Sequence, residues 1–174
     1  MTILKGKGFI LRDWKDGDQK SLVENANNKK IWLNLTDIFP RPYTLKDANK
    51  WIEINSKGKK DYLNLTIVVN GKTVGDIGIH KKSGNSQFTA ILGYWIGEKY
   101  WGKGIMTKAV KLFCNHVFKK FKVKRIEAKA FTLNPGSRKV LEKSGFKYEG
   151  TLRKSVFKNE RLIDEWIFGK IISD

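Results

Sequence analysis

The stretch GYWIGEKYWGKGIMT at residues 93–107 decides how the rest of the chain is interpreted. An aromatic, β-branched run ends at Ile96, glycines follow at positions 102 and 104, and a helical period begins directly after them. Because glycine has no Cβ, a Gly-x-Gly loop can bring its backbone N–H groups close to a ligand. The first N–H groups of a helix lack intrahelical partners, and the helix dipole favours an anion there. The stretch therefore predicts a strand, a loop that holds a phosphate ester, and a helix.

The Gly-Lys-Gly loop is weak evidence by itself, because glycines also serve ordinary turns between a strand and a helix. Two other classes of phosphate site are excluded by their spacing. The chain contains no GxxxxGK[ST] segment, and no third glycine or acidic residue stands where a dinucleotide-binding fingerprint requires one.

Length and composition indicate one globular domain spanning residues 1–174. The hydrophobic fraction is 40% and the aromatic fraction 12%, which argues against disorder. Cys114 is the only cysteine, so an intrachain disulfide is excluded and nothing indicates an oxidising compartment. Residues 1–20 show no apolar core of a signal peptide, and no apolar run is long enough to span a membrane. We expect a cytoplasmic protein without a membrane partner, either a monomer or a homodimer.

The charge balance is strongly basic, with 35 Lys and Arg against 17 Asp and Glu, a formal charge of +18. Such a field attracts anionic partners, among them nucleic acid, acidic cofactors and the surroundings of the ribosome. Between Glu98 and Glu127 the chain has nine basic residues and no acidic one. The alternative is a solvated basic face, and no recognised RNA or DNA reader motif is present.

The periodicities predict a mixed α/β domain with one twisted sheet of about seven strands and helices on both faces. Asp18 is a candidate cap for the first helix, and Thr44 with Asp47 has the spacing of a capping box. Asn70-Gly71 and Lys158-Asn159 are predicted hairpin turns, and residues 56–62 a polar connection. The predicted strands are 8–12, 63–69, 73–79, 88–97, 124–131, 147–157 and 161–171, and the predicted helices run from about 18, 44, 104 and 135.

Two longer segments, GYWIGEKYWGKGIMTKAV and RIEAKAFTLNPGSRKVLEKSGFKYEG, resemble the GNAT superfamily of N-acetyltransferases. The resemblance covers nearly the whole chain and is strongest to the branch of ribosomal-protein N-terminal acetyltransferases. The family pattern [RQ]-x-x-G-x-[GA] falls on Lys99, Gly102 and Gly104, and Lys99 departs from the usual arginine or glutamine. The resemblance implies the GNAT fold, acetyl-CoA as cosubstrate and no metal.

The resemblance also implies where acetyl-CoA binds. In this family the strand ending at Ile96 and the strand at 125–131 part in a V that admits the pantetheine arm, near the edge formed by Tyr94, Trp95 and Ile96. Packing in the core is the alternative for Tyr94 and Trp95. Backbone amides of six residues would bind the pyrophosphate: Gly102, Lys103, Gly104, Ile105, Met106 and Thr107.

The NPGS segment supplies two further candidates at the start of a helix. By resemblance Asn134 would fix an amide of the cofactor arm, and Ser137 would donate a proton to the departing thiolate. A plain helix cap is the alternative for Asn134. Arg138 could meet the 3′-phosphate of the cofactor or be solvated. Many relatives have a tyrosine acid where this chain has Leu141, so tyrosine catalysis at that position is excluded.

The general base is less well defined. Glu127 is the first candidate because the family places it at the parting strands, and Asp76 and Asp164 are the alternatives. In so basic a chain each could instead form a structural ion pair. A protein α-amino group, with a pKa near 8, loses its proton more easily than a lysine ammonium. His80 and His116 do not form a metal set.

The sequence thus favours acetyl transfer from acetyl-CoA to a primary amine by direct attack in a ternary complex. A protein N-terminus, ribosomal proteins included, is the first acceptor to consider. The other hypotheses are acetylation of a small-molecule amine, a module that binds acyl-CoA without chemistry, and a protein associated with nucleic acid.

Overall fold

The computed structural model describes residues 2–57 and 61–172, so part of the polar connection predicted at 56–62 lies outside the described residues. The strands are β1 (Ile3–Gly6), β2 (Phe9–Arg12), β3 (Tyr62–Val69), β4 (Lys72–Lys81), β5 (Thr89–Ile96), β6 (Arg125–Phe131), β7 (Lys147–Lys158) and β8 (Arg161–Ile171). The α-helices are α1 (Gln19–Ala26), α2 (Lys29–Trp32), α3 (Leu45–Ser56), α4 (Ile105–Lys120) and α5 (Pro135–Lys143).

The eight strands form one mixed sheet in the order β1-β2-β3-β4-β5-β6-β8-β7. Every neighbouring pair is antiparallel except β5 and β6, which are parallel. The predicted fold class is therefore confirmed, with one strand more than the seven expected.

The additional strand is β1, which pairs with β2 through a turn at Lys7 and Gly8. Its residues alternate between exposed and half-buried, so the segment has no strongly apolar face to reveal it. The strand forms because its backbone completes the ladder to β2, and Gly8, with φ 85°, adopts the left-handed turn conformation that favours glycine.

The two central strands part as expected. Their parallel ladder runs only from Thr89–Arg125 to Leu92–Ala128. Strand β5 continues to Ile96 and β6 to Phe131 without pairing to each other. A V-shaped gap, called here the splay, therefore opens between residues 93–96 and 129–131.

Helices cover both faces of the sheet, because alternate residues of β5 point to opposite sides. Leu92 and Ile96 belong to the larger core cluster with Val110 and Phe113 of α4. Trp95 instead belongs to a second cluster that is formed by α1, α2, α3 and their connections. The splay therefore has α4 and α5 on one side and this second cluster on the other.

Three local predictions can be compared with the structure. The capping box of Thr44 and Asp47 is confirmed at the start of α3. Asp18 precedes α1, but its side chain caps nothing; its carboxylate oxygens accept hydrogen bonds at 2.6 and 2.7 Å from the Arg12 guanidinium, because a buried charge needs a partner. The last turn lies one residue later than predicted, at Asn159 and Glu160, which both have positive φ.

Candidate active site

The glycine loop between β5 and α4 has the backbone that the sequence predicts. Gly102 and Gly104 have φ of 73° and 71°, in the left-handed region that only glycine adopts at little cost. A Cβ built on either residue would meet no atom within 4 Å. The loop therefore borders open space at both glycines, as a cradle for a ligand requires.

The start of α4 leaves donors directed at this space. The first helical hydrogen bond runs from the Lys108 N–H to the Gly104 carbonyl, at 3.2 Å. The preceding amides of Ile105, Met106 and Thr107 have no intrahelical carbonyl within reach. The Met106 side chain is buried, so this residue can contribute to an anion site only through its backbone.

Aromatic contacts fix the shape of the loop. The indole Nε1 of Trp101 donates a hydrogen bond of 2.8 Å to the Ile96 carbonyl, which ties the loop to the end of β5. The Lys103 ammonium lies 5.6 Å from the ring centre of Tyr100. Both contacts hold the glycines in position beside the splay.

On the α4 side of the splay, Tyr94 and Ser137 are joined. The Tyr94 hydroxyl lies 2.8 Å from Ser137 Oγ and donates to the Ser137 carbonyl at 3.3 Å. Burial raises the pKa of Tyr94, so its phenol stays protonated at neutral pH. Ser137 is thereby held against β5 at the gap where its predicted proton transfer would occur.

Asn134 and Arg138 have structural partners. The Asn134 side-chain oxygen accepts a hydrogen bond of 3.0 Å from the Ser137 N–H, so the cap considered for it is present. The Arg138 guanidinium stacks on Trp166 and pairs with Glu142 at 2.8 Å. Cofactor contacts of these two residues stay predictions, and the cap leaves the amide nitrogen of Asn134 available for one.

Glu127 does not lie where the strands part. It pairs with Ile91 within the closed part of the β5–β6 ladder, one position before Leu92–Ala128. Its carboxylate forms ion pairs with Lys82 at 2.5 Å and Arg125 at 3.1 Å. Burial raises its pKa, but the hydrogen bonds from Lys82 and Arg125 outweigh burial and lower it. Its role as a base stays a prediction, and these contacts resemble a structural ion pair.

A cavity of about 750 Å³ opens on the other side of the splay, between the α2–α3 segment and strands β3, β4 and β5. We call it the aromatic cavity. Its wall reaches the splay at Gly93, Tyr94 and Trp95. Side chains from the α2–α3 segment and from β3 and β4 also line it, among them Leu35, Ile38, Phe39, Tyr43, Asp47, Lys50, Trp51, Ile54, Tyr62, Asn64 and Asp76.

Asp76 lies in the wall of this cavity and is 5% exposed. Of the ion pairs between described residues, none includes Asp76. Its carboxylate accepts a hydrogen bond of 3.4 Å from Asn64, and the side chains of Trp95 and Trp51 are further neutral partners. Burial outweighs these hydrogen bonds and raises the pKa of Asp76 to about 7. A carboxyl group with this pKa can accept a proton at neutral pH.

The sequence gives a faint signal for this arrangement. Asp76 is the one charged residue in TVGDIGI, between glycines at positions 75 and 78. A Cβ on Gly78 would lie 2.6 Å from the Asn64 amide nitrogen, so the glycine leaves room for the group that binds Asp76. Asn64, Trp51 and the cavity itself could not be anticipated, because three separate elements bring them together.

The remaining candidates have simpler surroundings. Cys114 is fully buried, and burial raises its pKa to about 12, so its thiol is not a nucleophile at neutral pH. Asp164 accepts a hydrogen bond of 2.7 Å from the Lys154 N–H. Within residues 2–57 and 61–172 no three His, Cys, Asp or Glu side chains are grouped to hold a metal ion. In the same ranges no helix combines the length and the apolar character needed to cross a membrane.

Comparison with known proteins provides independent evidence. Residues 9–147 match the family described as acetyltransferase (GNAT) domain. The ribosomal-protein-serine acetyltransferase of Escherichia coli is 32% identical over 174 residues, covering 98% of this chain and 97% of that protein. Probable N-acetyltransferase YjcK of Bacillus subtilis is 31% identical over 160 residues, 88% of either chain.

A solved structure extends the comparison to the fold. A ribosomal alpha-N-protein acetyltransferase in complex with coenzyme A superposes with a TM-score of 0.86 at 19% identity, covering 98% of both chains. At this identity the likeness concerns the arrangement of strands and helices.

Proposed function

The chain belongs to the GNAT family of acetyltransferases, and from that premise we propose that it acetylates a protein α-amino group with acetyl-CoA. The main observation in support of this acceptor is the position of Asp76. Its carboxyl group is buried, has no ion-pair partner among the described residues and lines a cavity that reaches the splay. The name of the Escherichia coli relative supports a ribosomal protein as acceptor and hence a cytoplasmic site of action.

The loop and the splay fit acetyl-CoA. The open space at Gly102 and Gly104 and the free amides of residues 105–107 suit its pyrophosphate. The edge of β5 at residues 94–96 has no strand opposite it and suits the pantetheine arm, although the Ile96 carbonyl already accepts a hydrogen bond from Trp101. Acetyl-CoA supplies the activated acetyl group, and the residues of the chain orient it and move protons.

The proton transfers follow from the two sides of the splay. The amine nitrogen forms a bond to the acetyl carbon while the bond from that carbon to sulfur breaks. Asp76 takes the proton that the amine must lose, directly or through a water molecule. Ser137, on the other side, gives its hydroxyl proton to the departing sulfur and receives in exchange the second proton that the nitrogen loses as the amide forms, so its hydroxyl is restored. An α-amine suits a base with pKa near 7 better than a lysine does, because its own pKa is near 8.

A matched pair of variants tests which carboxylate acts. Asp76→Asn and Glu127→Gln each remove one negative charge and retain the size of the side chain. We expect Asp76→Asn to lower kcat by about 100-fold or more. We expect Glu127→Gln to change kcat only slightly, because Lys82 and Arg125 already neutralise that carboxylate. The measurement is release of free CoA with a panel of peptides and small amines.

The outcomes separate the hypotheses. The reverse pattern, with Glu127→Gln inactive and Asp76→Asn active, would overturn the assignment of the base. Turnover of small amines but of no peptide would identify a small-molecule acetyltransferase, for which the cavity has the size of many ligand sites. Tight acetyl-CoA binding without any turnover would support a binding module.

A further inference from the structure

The aromatic cavity holds a buried, ionisable carboxyl group inside a strongly positive molecule. The chain carries a formal +18, yet the buried end of the cavity has the carboxyl group of Asp76 and no cation paired with it among the described residues. Burial and, after it, the charge of Asp76 raise the pKa of Tyr43, and the same two causes raise that of Tyr62 to about 12. Both phenols therefore stay neutral beside the carboxylate. A positively charged group is the ligand that complements this end.

Aromatic rings form the wall next to this carboxyl group. The ring centres of Phe39 and Tyr43 are 4.9 Å apart, and those of Phe39 and Trp95 are 5.7 Å apart with the rings nearly perpendicular. Trp51 adds a further ring beside Asp76. Such walls attract a cation through ring quadrupoles and also exclude water from the apolar group that bears it.

The mouth of the cavity is apolar and carries one cation. Ile38 is 90% exposed and Ile54 is 40% exposed, although both are large aliphatic side chains. Lys50 is exposed among them. Asp47, the other carboxylate in the wall, keeps its negative charge, because hydrogen bonds from the side chain and backbone of Thr44 lower its pKa. The opposite charges of Asp47 and Lys50 offset each other, so a second ammonium group on the ligand would meet a mainly apolar rim without net attraction.

From these three observations we propose that the acceptor is a monocationic primary amine whose carbon skeleton is apolar and large, of the size of an aromatic ring. This inference rests on the proposed function and specifies its substrate. The ammonium lies at Asp76, the apolar body lies against Phe39, Trp51 and Trp95, and the mouth gives the second ammonium of a polyamine no net attraction. Under the proposed function this amine is the α-amino group of a protein that begins with a large apolar residue, and a free arylalkylamine of the same chemistry is the source that the test distinguishes from it.

Binding and turnover are measured separately to test this. Binding of phenethylamine, ethylamine, putrescine and spermidine to the CoA-loaded protein is followed by tryptophan fluorescence, since Trp51 and Trp95 line the cavity. We expect phenethylamine to bind at least about tenfold more tightly than ethylamine, because the ring loses its contact with water. Tripeptide amides that begin with Phe, Ala or Ser distinguish a protein acceptor from a free amine, with acetylated product measured by mass spectrometry.

Variants locate the preference. Ile38→Ser should reduce the ratio of phenethylamine to ethylamine affinity by about threefold or more, because the rim loses apolar area. Ile171→Ser, at an isoleucine that is 67% exposed on β8 outside the cavity, should leave the ratio unchanged. Asp76→Asn should weaken the binding of every amine while CoA still binds.

Each result has one meaning. Equal or tighter binding of ethylamine, putrescine or spermidine, or a preference for the Ser peptide over the Phe peptide, overturns the inference. Selective phenethylamine binding without acetylation of any amine keeps the inference on binding but overturns the proposed function. Turnover confined to small polar amines overturns both the inference and the protein acceptor of the proposed function, and leaves acetyl transfer itself in place.

Discussion

At the scale of one side chain, Asp76 links the stability of the fold to pH. Folding raises the pKa of this carboxyl group from its ordinary value of 3.8 to about 7, with burial as the main cause. Between these values the folded state binds more protons than the unfolded state, so this group lowers the free energy of unfolding as pH rises. The residue proposed as the base is therefore also a source of instability at neutral pH.

Asp76→Asn should remove this dependence. We expect the variant to have a higher free energy of unfolding than the parent at pH 8, by up to about 4 kcal/mol at about 1.4 kcal/mol per pKa unit. At pH 5 the two proteins should differ much less, because Asp76 is then protonated. Urea unfolding at both pH values measures the difference. A variant that loses stability relative to the parent as pH rises would contradict the assignment.

The contact between Tyr94 and Ser137 suggests that one residue orients the other. If the Tyr94 hydroxyl directs its one hydrogen at Ser137 Oγ, 2.8 Å away, and not at the Ser137 carbonyl, the hydroxyl hydrogen of Ser137 is free to point into the splay. Tyr94→Phe should then lower kcat several-fold, with little change in the KM for acetyl-CoA. In a Ser137→Ala background the same change should have no further effect on kcat, because coupled residues are not additive. Equal effects in both backgrounds would show that Tyr94 acts independently of Ser137.

A feature of the site can be predicted from sequence when the residues that produce it are contiguous in the chain. Gly102 and Gly104 could be predicted because their spacing and the following helix are contiguous in the chain. The pairing of Arg12 with Asp18 could not, because a cap and an ion pair use the same residue type at the same position. The surroundings of Asp76 could not either, because they come from α3, β3 and β5.

At the scale of the element, the glycine loop offers a matched comparison. Gly104→Ala places a Cβ in the open space of the cradle, whereas Gly84→Ala places one in open space at the opposite end of β5. Both glycines have positive φ, so both variants carry similar backbone strain of about 1–2 kcal/mol. Only Gly104→Ala should weaken acetyl-CoA binding, by about tenfold, through loss of hydrogen bonds to the anion. Calorimetric titration checks this, and equal affinities would reduce the loop to a turn.

Elements with a clear period were predicted well, and those without one were not. The helix starting after Gly104 and the hairpin at Asn70-Gly71 are present with bounds close to those expected. Strand β1 was missed because its stability comes from pairing with β2 rather than from an apolar face of its own. A strand that is stabilised mainly by pairing with another segment cannot be recognised from its own pattern of residues.

At the scale of the whole molecule, the last hairpin is fastened to the rim of the aromatic cavity. Lys158, at the end of β7, is 1% exposed, lies 3.7 Å from the ring centre of Trp32 in α2 and pairs with Asp37 at 2.5 Å. The segment after α2 continues into the mouth of the cavity at Leu35 and Ile38. The hairpin therefore supports the mouth of the aromatic cavity from a distance of more than 100 residues in sequence.

Lys158→Ala should loosen this support. We expect the free energy of unfolding to fall by about 1–2 kcal/mol, because the cation–π contact and the packing of the lysine stem are lost. The KM for the amine should rise while the KM for acetyl-CoA stays nearly constant. Steady-state kinetics and urea unfolding measure both effects, with Lys147→Ala, an exposed lysine on the same strand, as the control. A change in the KM for acetyl-CoA alone would contradict a role of the hairpin in supporting the aromatic cavity.

At the splay, the middle of the sheet lacks the backbone hydrogen bonds that would join β5 to β6. Backbone groups of β5 beyond Leu92 that point away from β4 have no strand opposite them, although β5 stays paired to β4 as far as Ile96. A cosubstrate with amide groups along its arm can form hydrogen bonds with these backbone groups, as an added strand would. Deuterium uptake by the backbone amides of residues 93–96 and 129–131 should then slow when the cosubstrate binds. The two halves of the sheet would be connected across the splay only in the bound state.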